Sequence, residues 1–261
     1  MSAHHFTHAI VRPPGPTYAQ GLTRVDLGKP NVALARAQFE AYCRALQACG
    51  LTLTQLEPLA EYPDSTFVED TAVITPRGAI ISRPGAPSRA GEVEAMRSAL
   101  RERFPDLAEI TAPGTLDGGD ICDADGHFLI GISARTNPEG AAQLQAWLEA
   151  HDYSAVTIDI RARDDILHLK SGLSYLGDNR LAVIPALADH PVLRAFEPVV
   201  VTQHEAYAAN CVRVNDRVLV AAGFPEFEAR LDELGYRPLV LMMSEFEKLD
   251  GGLSCLSLRL A

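Results

Sequence analysis

No run of apolar residues in this chain approaches the roughly 18 needed to cross a bilayer, so no membrane-spanning segment is expected. The opening stretch MSAHHFTHAIVRPP lacks a basic region followed by an apolar one, so no secretory signal is expected either. Neither GxGxxG nor GxxxxGK[ST] occurs, and the DGG pairs read as turns, which removes the usual phosphate cradles. The five cysteines (Cys43, Cys49, Cys122, Cys211 and Cys255) are odd in number, scattered and never spaced CxxC. They read as reduced thiols of a cytoplasmic protein, not as a disulfide frame or a zinc site. Basic residues are short as well, 23 Lys and Arg against 34 Asp and Glu, for a formal charge of −11. That balance argues against nucleic acid or an anionic membrane as partner and suits a cationic small molecule. His4, His5 and His8 have no Cys or carboxylate beside them and read as a solvated terminus, not a metal cluster.

What is present is a recurring unit of hairpin, helix and strand. TAVITPRGAIISR turns at Pro76–Arg77–Gly78; a helix follows with Val93, Met96, Leu100 and Phe104 on one face and Ser88 as its N-cap; LAEIT closes the unit. GDICDADGHFLIGIS turns at Asp125–Gly126, its helix starts at Asn137–Pro138 with Leu144 and Leu148 inward, and AVTIDI closes it. LSYLGDNRLAVIP, a helical stretch over Leu187 to Phe196, and PVVVT form the third. CVRVNDRVLVAA, a helix from Pro225 to Leu234 and PLVLMM form the fourth. The N-terminus supplies HAIVR, a helix from Val32 to Ala48 and LTLTQL, most of a fifth unit lacking one hairpin strand. LSCLSLRL is the segment left over. Pairing it with HAIVR closes a ring of five pseudo-repeated ββαβ units, an α/β fold without exposed sheet edges. Nothing in composition marks a boundary, so 1–261 reads as one domain.

Four stretches carry chemistry: YPDSTFVED with Asp64, Glu69 and Asp70; PGTLDGGD with Asp117 and Asp120; LHLKSG with His168; and DGGLSC with Asp250 and Cys255. Each enters a hairpin of a different unit, so the ring would gather them at one end of its centre. Singly, each has a plainer reading: a solvated turn, a core histidine, turn chemistry, a buried thiol. Together, a thiol, a histidine and a carboxylate are the parts of an activated cysteine nucleophile, and the further carboxylates suit a cation. Cys255 begins the closing strand in this reading, with the diglycine before it allowing close backbone approach.

FVED, LDGGD, ARTNPEGA, LHLKSGLSYL, AANC and SEFEKLDGGLSCLSLR, in this order from GLTRVDLGKP onward, resemble the dimethylarginine dimethylaminohydrolases of the guanidino-modifying, or amidinotransferase, superfamily. The resemblance implies a five-bladed α/β propeller. It also implies hydrolysis of Nω-methylated arginine to citrulline and methylamine or dimethylamine through a covalent S-alkylthiouronium intermediate. By this resemblance Cys255 is the nucleophile, His168 the proton carrier and Asp117 its orienter, where some members carry Glu. Glu69, Asp70 and Asp250 would hold the guanidinium; Asp64 and the main chains of Leu22 and Leu249 the α-amino group; Arg89 and Arg135 the α-carboxylate. No cofactor and no metal are implied, and the partners implied are the cationic substrate and at most a second copy in a homodimer. Arginine deiminase, another guanidino hydrolase with the same Cys-His-Asp set, an amidinotransferase and a non-catalytic amino-acid-binding relative are the alternatives.

Overall fold

Strand β1 (His8–Val11) is followed by helix α1 (Val32–Ala48) and strand β2 (Thr52–Gln55), which lies parallel to β1. The structure is a computed structural model that describes residues 5–261. The α1 start is set by Asn31, whose side chain accepts from the backbone N–H of Leu34, and Gly50 takes φ +92° just past its end. Ala35, Gln38, Phe39, Tyr42, Ala45 and Leu46 form the buried face, at the three- and four-residue steps of an amphipathic helix.

The hairpin β3 (Ala72–Thr75) and β4 (Gly78–Ile81) leads to helix α2 (Val93–Arg101) and strand β5 (Ala108–Glu109), parallel to β4. The expected cap at Ser88 is corrected here: residues Pro87–Glu92 form a 3-10 turn ahead of α2, and Glu92 is the residue preceding the helix. Phe104 falls beyond the helix end and packs from there against the core.

Hairpin β6 (Ile121–Ala124) and β7 (His127–Ile132) turns at Asp125 and Gly126, both at positive φ, the backbone that tight hairpins require. Helix α3 (Pro138–Ala150) starts at Asn137, which accepts from Gly140 N, and buries Leu144 and Leu148; β8 (Ser154–Asp159) follows, parallel to β7. After a short helix α4 (Leu169–Gly172), β9 (Leu173–Gly177) and β10 (Arg180–Val183) form a hairpin. The single helix expected over Leu187 to Phe196 is instead α5 (Pro185–Ala188) and a 3-10 turn, Pro191–Ala195. Pro191 has no N–H to give and disfavours a helical residue before it, which splits the segment. Strand β11 (Glu197–Val200) lies parallel to β10.

Hairpin β12 (Val212–Val214) and β13 (Arg217–Ala221), helix α6 (Pro225–Glu233) and strand β14 (Pro238–Leu241) complete the fourth unit. Helix α7 (Ser244–Glu247) and a turn at Asp250–Leu253 lead to strand β15 (Ser257–Leu260). It pairs antiparallel with β1, from Val11↔Ser257 to His8↔Leu260, and supplies the strand the first unit lacked. The result is five three-stranded sheets, β15-β1-β2, β3-β4-β5, β6-β7-β8, β9-β10-β11 and β12-β13-β14. Cys255 lies not in β15 but in the 3-10 turn before it, Ser254–Leu256. Strands β12 and β6 both adjoin β9, and β15 adjoins β3, so the first strands of neighbouring sheets meet.

Among the described residues no helix is long and apolar enough to cross a membrane. His5 is exposed and His8 half-buried, neither in a group able to hold a metal; His4 lies outside the described residues.

Candidate active site

Three irregular turns, each at the head of a hairpin's first strand, deliver most of the chemistry. Residues Val68–Thr71 form a 3-10 turn into β3, Gly118–Asp120 one into β6, and Ser254–Leu256 one into β15; α4 plays the same part before β9. Such turns let a side chain project from the strand end instead of from the sheet face.

The imidazole of His168 meets Oδ2 of Asp117 through Nε2 at 3.1 Å, and the backbone N–H of Gly85 donates to the other oxygen at 2.8 Å. Asp117 is wholly buried, and Arg135 Nη1 stands 3.7 Å from the oxygen that faces His168. Gly119 permits this approach: a Cβ there would stand 2.6 Å from Nδ1 of His168. Burial alone would favour the neutral imidazole, but the carboxylates of Asp70, Asp120 and Asp117 outweigh it and raise the His168 pKa to about 9. The imidazolium is thus favoured at neutral pH, with Nε2 against Asp117.

Cys255 is partly exposed, and its Sγ accepts from Gly252 N at 3.4 Å. Desolvation, reinforced by the charges of Glu69 and Asp70, pushes the thiol up to about 12. The turn before it is close-packed. Asp250 adopts φ +56°, and a Cβ on Gly251 would reach within 2.3 Å of the Phe67 ring, itself packed with Tyr18 and Phe246.

Asp70 is buried and doubly held. Arg89 Nη1 donates to Oδ2 at 2.6 Å and Gly119 N to Oδ1 at 2.8 Å. Burial would raise this carboxyl, but His168 and Arg89 overcome it and bring it down to about 2. Asp64 accepts from Leu22 N at 3.0 Å, and Asp250 from Arg24 N at 2.6 Å. One cavity is lined by His168, Cys255, Asp70, Asp250, Asp64 and Arg89. Arg135, Leu22 and Leu249 border it too.

Of the residues the sequence nominated, Asp117 and Glu69 do not line this cavity: Asp117 stands behind His168, and Glu69, expected at the guanidinium, points elsewhere. Its carboxylate accepts from Lys170 Nζ at 2.5 Å and Ser254 Oγ at 2.7 Å, with Arg259 3.5 Å away. Adjacent residues of a 3-10 turn are about 120° apart, so Glu69 and Asp70 cannot face the same way. A second, larger cavity of about 150 Å³ has Glu69, Lys170, Asp123, Arg213 and Arg259 in its wall and neither the catalytic-type thiol nor the imidazole.

Two supporting residues, Asp120 and Asn210, were given no role from the sequence. Asp120 accepts from Ser133 Oγ, Thr136 Oγ1 and Leu169 N, tying the α4 start to the loop after β7; burial raises it to about 6 in spite of His168 and these donors. Asn210 bridges two motifs, donating to Lys170 O and Ser254 Oγ and accepting from Ser254 N. The only usable signal for both was their place inside the motifs LDGGD and AANC. Asp70, Asp117 and His168 offer one atom each within 4.8 Å of one another, a geometry that could hold a metal ion. A cation there would have to compete with Arg89 and the imidazolium for the same oxygens.

The fold and this thiol–imidazole–carboxylate cavity define the class. A family model described as arginine deiminase matches residues 54–219. The chain is 45% identical to the N(G),N(G)-dimethylarginine dimethylaminohydrolase of Pseudomonas aeruginosa, across 97% of this chain and 99% of that one. It is 36% identical to the enzyme of the same name from Streptomyces coelicolor, across 97% and 96%. Its fold superposes with TM-score 0.95 on a solved structure of the Pseudomonas aeruginosa enzyme, a cysteine-to-serine mutant complexed with citrulline, at 44% identity, covering 98% of this chain and 100% of that one. The chain belongs to the dimethylarginine dimethylaminohydrolase family.

Proposed function

We propose that this chain hydrolyses Nω-methylated L-arginine to L-citrulline and methylamine or dimethylamine, with Cys255, His168 and Asp117 as its catalytic residues. The observation that carries the reading is one cavity where an imidazolium held on a buried carboxylate and a protonated thiol stand among Asp70, Asp250 and Asp64. A guanidinium is a resonance-stabilised cation. Its carbon becomes open to attack only when carboxylates fix its plane and its leaving amine receives a proton.

In this reading Asp70 and Asp250 hold the guanidinium, and its positive charge lowers the Cys255 pKa, because nearby cations favour thiolate. The thiol proton passes to solvent, and the thiolate forms an S–C bond at the guanidinium carbon. The C–N bond to the methylated nitrogen then breaks, and that nitrogen takes the Nδ1 proton of His168. The S-alkylthiouronium remains. His168, now neutral, takes a proton from water as the oxygen adds to the same carbon. The C–S bond then breaks, the proton left on the added oxygen passes to sulfur to restore the thiol, and the ureido group of citrulline remains. Asp117 keeps the ring oriented in both protonation states. Asp64 and the main chains of Leu22 and Leu249 take the α-amino group; Arg135 and Arg89 take the α-carboxylate, where charge-assisted bonds from guanidinium are strong.

The fold that suits this chemistry is a five-bladed propeller of one domain, 1–261, closed by β15 on β1, in a cytoplasmic enzyme that uses no cofactor. Activity on unmethylated arginine is the second reading, favoured by the arginine deiminase model matched over residues 54–219. Citrulline release from asymmetric dimethylarginine, monomethylarginine and arginine, compared between the natural chain and Cys255→Ser, tests both. Turnover of methylated substrates alone, lost in Cys255→Ser, supports the proposal. Preference for plain arginine moves the protein to the deiminase reading, and citrulline from none of them overturns the substrate class.

A further inference from the structure

Arg89 cannot present a two-pronged fork to a carboxylate in the cavity, because that edge is already taken. Its Nε donates to both oxygens of Glu92 at 3.1 Å and its Nη2 to Oε2 at 2.8 Å, a side-on pair. The other Nη2 proton goes to Phe67 O at 3.1 Å, with Asp64 O at 3.4 Å, and Nη1 gives one proton to Asp70. A guanidinium has five N–H groups. Four are therefore committed, and one on Nη1 has no partner among the described residues.

Local geometry produces the pair. Arg89 and Glu92 stand three residues apart in the 3-10 turn Pro87–Glu92, where residues i and i+3 eclipse. Both side chains are nearly inaccessible, 5% and 1% exposed. Behind Glu92 lies a second buried guanidinium, Arg12, fully buried and bonded to Ser65 O, whose positive charge also acts on Glu92. Glu92 thus neutralises charge on two sides and occupies the edge with which Arg89 would otherwise grip Asp70 in two-pronged fashion.

We infer that Glu92 is a positioning residue: it orients Arg89 so that one N–H serves the cavity, and it thereby sets how strongly the site selects substrates bearing an α-carboxylate. The inference rests on the reading that Arg89 meets that carboxylate. Without the anionic partner the Arg89 fork turns to Asp70, the only other carboxylate it contacts directly among the described residues, and the N–H meant for the ligand is lost.

The test uses monomethylarginine and its decarboxylated counterpart, the methylated guanidinoalkylamine, in competition on the natural chain, Arg89→Ala, Glu92→Gln and Glu92→Asp. The ratio of the two kcat/KM values does not depend on how much protein is folded, so partial misfolding of a variant does not obscure it. Glu92→Gln is expected to raise KM for monomethylarginine about 10- to 100-fold, with a smaller change in kcat, and to lower the ratio by the same factor toward that of Arg89→Ala. Glu92→Asp, which keeps the charge, is expected to restore part of the ratio. A natural chain that does not distinguish the two substrates overturns the carboxylate reading itself. A natural chain that distinguishes them, with Arg89→Ala losing the preference and both Glu92 variants keeping it, overturns the role of Glu92 alone. A fall in kcat at unchanged KM overturns it too, because Glu92 would then act through Asp70.

Discussion

His168 stands 3.1 Å from the wholly buried Asp117, so the imidazole is fixed by its acceptor before any ligand enters. Replacing Asp117 with Asn keeps the shape and removes the charge. Steady-state kinetics of Asp117→Asn should show kcat reduced on the order of 10²-fold, the scale of a positioned proton carrier, at little cost in KM. An unchanged kcat would remove Asp117 from the mechanism.

The same neighbourhood sets a pH dependence. The folded His168 pKa, about 9, lies above the unfolded value of 6.5. Its stabilising contribution is therefore complete below the unfolded value and is lost as pH rises through about 9. Proton donation to the leaving amine follows the same limb, so kcat should decline above about pH 9. A profile flat to pH 10 would place the donor elsewhere.

Cys255 is expected to be a thiol in the free protein, since burial and the acidic neighbours raise it to about 12. Thiolate absorbance of the free chain should show no step for Cys255 below pH 9, and an inert guanidinium analogue should bring one down in pH. A free-state titration below pH 7 would contradict the substrate-assisted ionisation proposed above.

Gly119→Ala isolates the close approach of chain and imidazole. The added Cβ would stand 2.6 Å from His168 Nδ1 and displace the ring. Activity should fall by about tenfold or more while the protein remains folded, as checked by paired kinetics and thermal unfolding.

Lys170→Met leaves Glu69 buried with only Ser254 and the more distant Arg259. Losing one partner of a buried pair destabilises by about 3 kcal/mol, which urea unfolding would register. Adding Glu69→Gln should recover much of that loss, because the uncompensated charge is then gone as well.

Much of the architecture could be read from the sequence because local signals and tertiary structure agree. Asp125–Gly126 and Asn137–Pro138 have turn and cap chemistry that the fold uses as written. Pairing β15 with β1 followed from counting strands. What escaped were irregular turns. Ser88 has cap chemistry, but the 3-10 turn that eclipses Arg89 and Glu92 displaces the helix start. Periodicity ran through Pro191, where the missing N–H breaks the helix. Glu69 and Asp70 are neighbours in sequence but face different partners in space, a separation that no motif encodes. Glu92 pairs with Arg89, which lines the cavity, and Asp120 holds Leu169 N beside His168, and only coordinates reveal either contact.

The Arg89 pairs with Asp70 and Glu92 have consequences for how the protein responds to salt. Their side chains are no more than 5% exposed, beyond effective reach of mobile ions, whereas most of the 34 Asp and Glu lie outside the buried set. Rising ionic strength should therefore slow the encounter of a cationic molecule with the protein and leave the geometry of the bound state alone. Affinity lost on adding salt would appear in the association rate, with dissociation nearly constant.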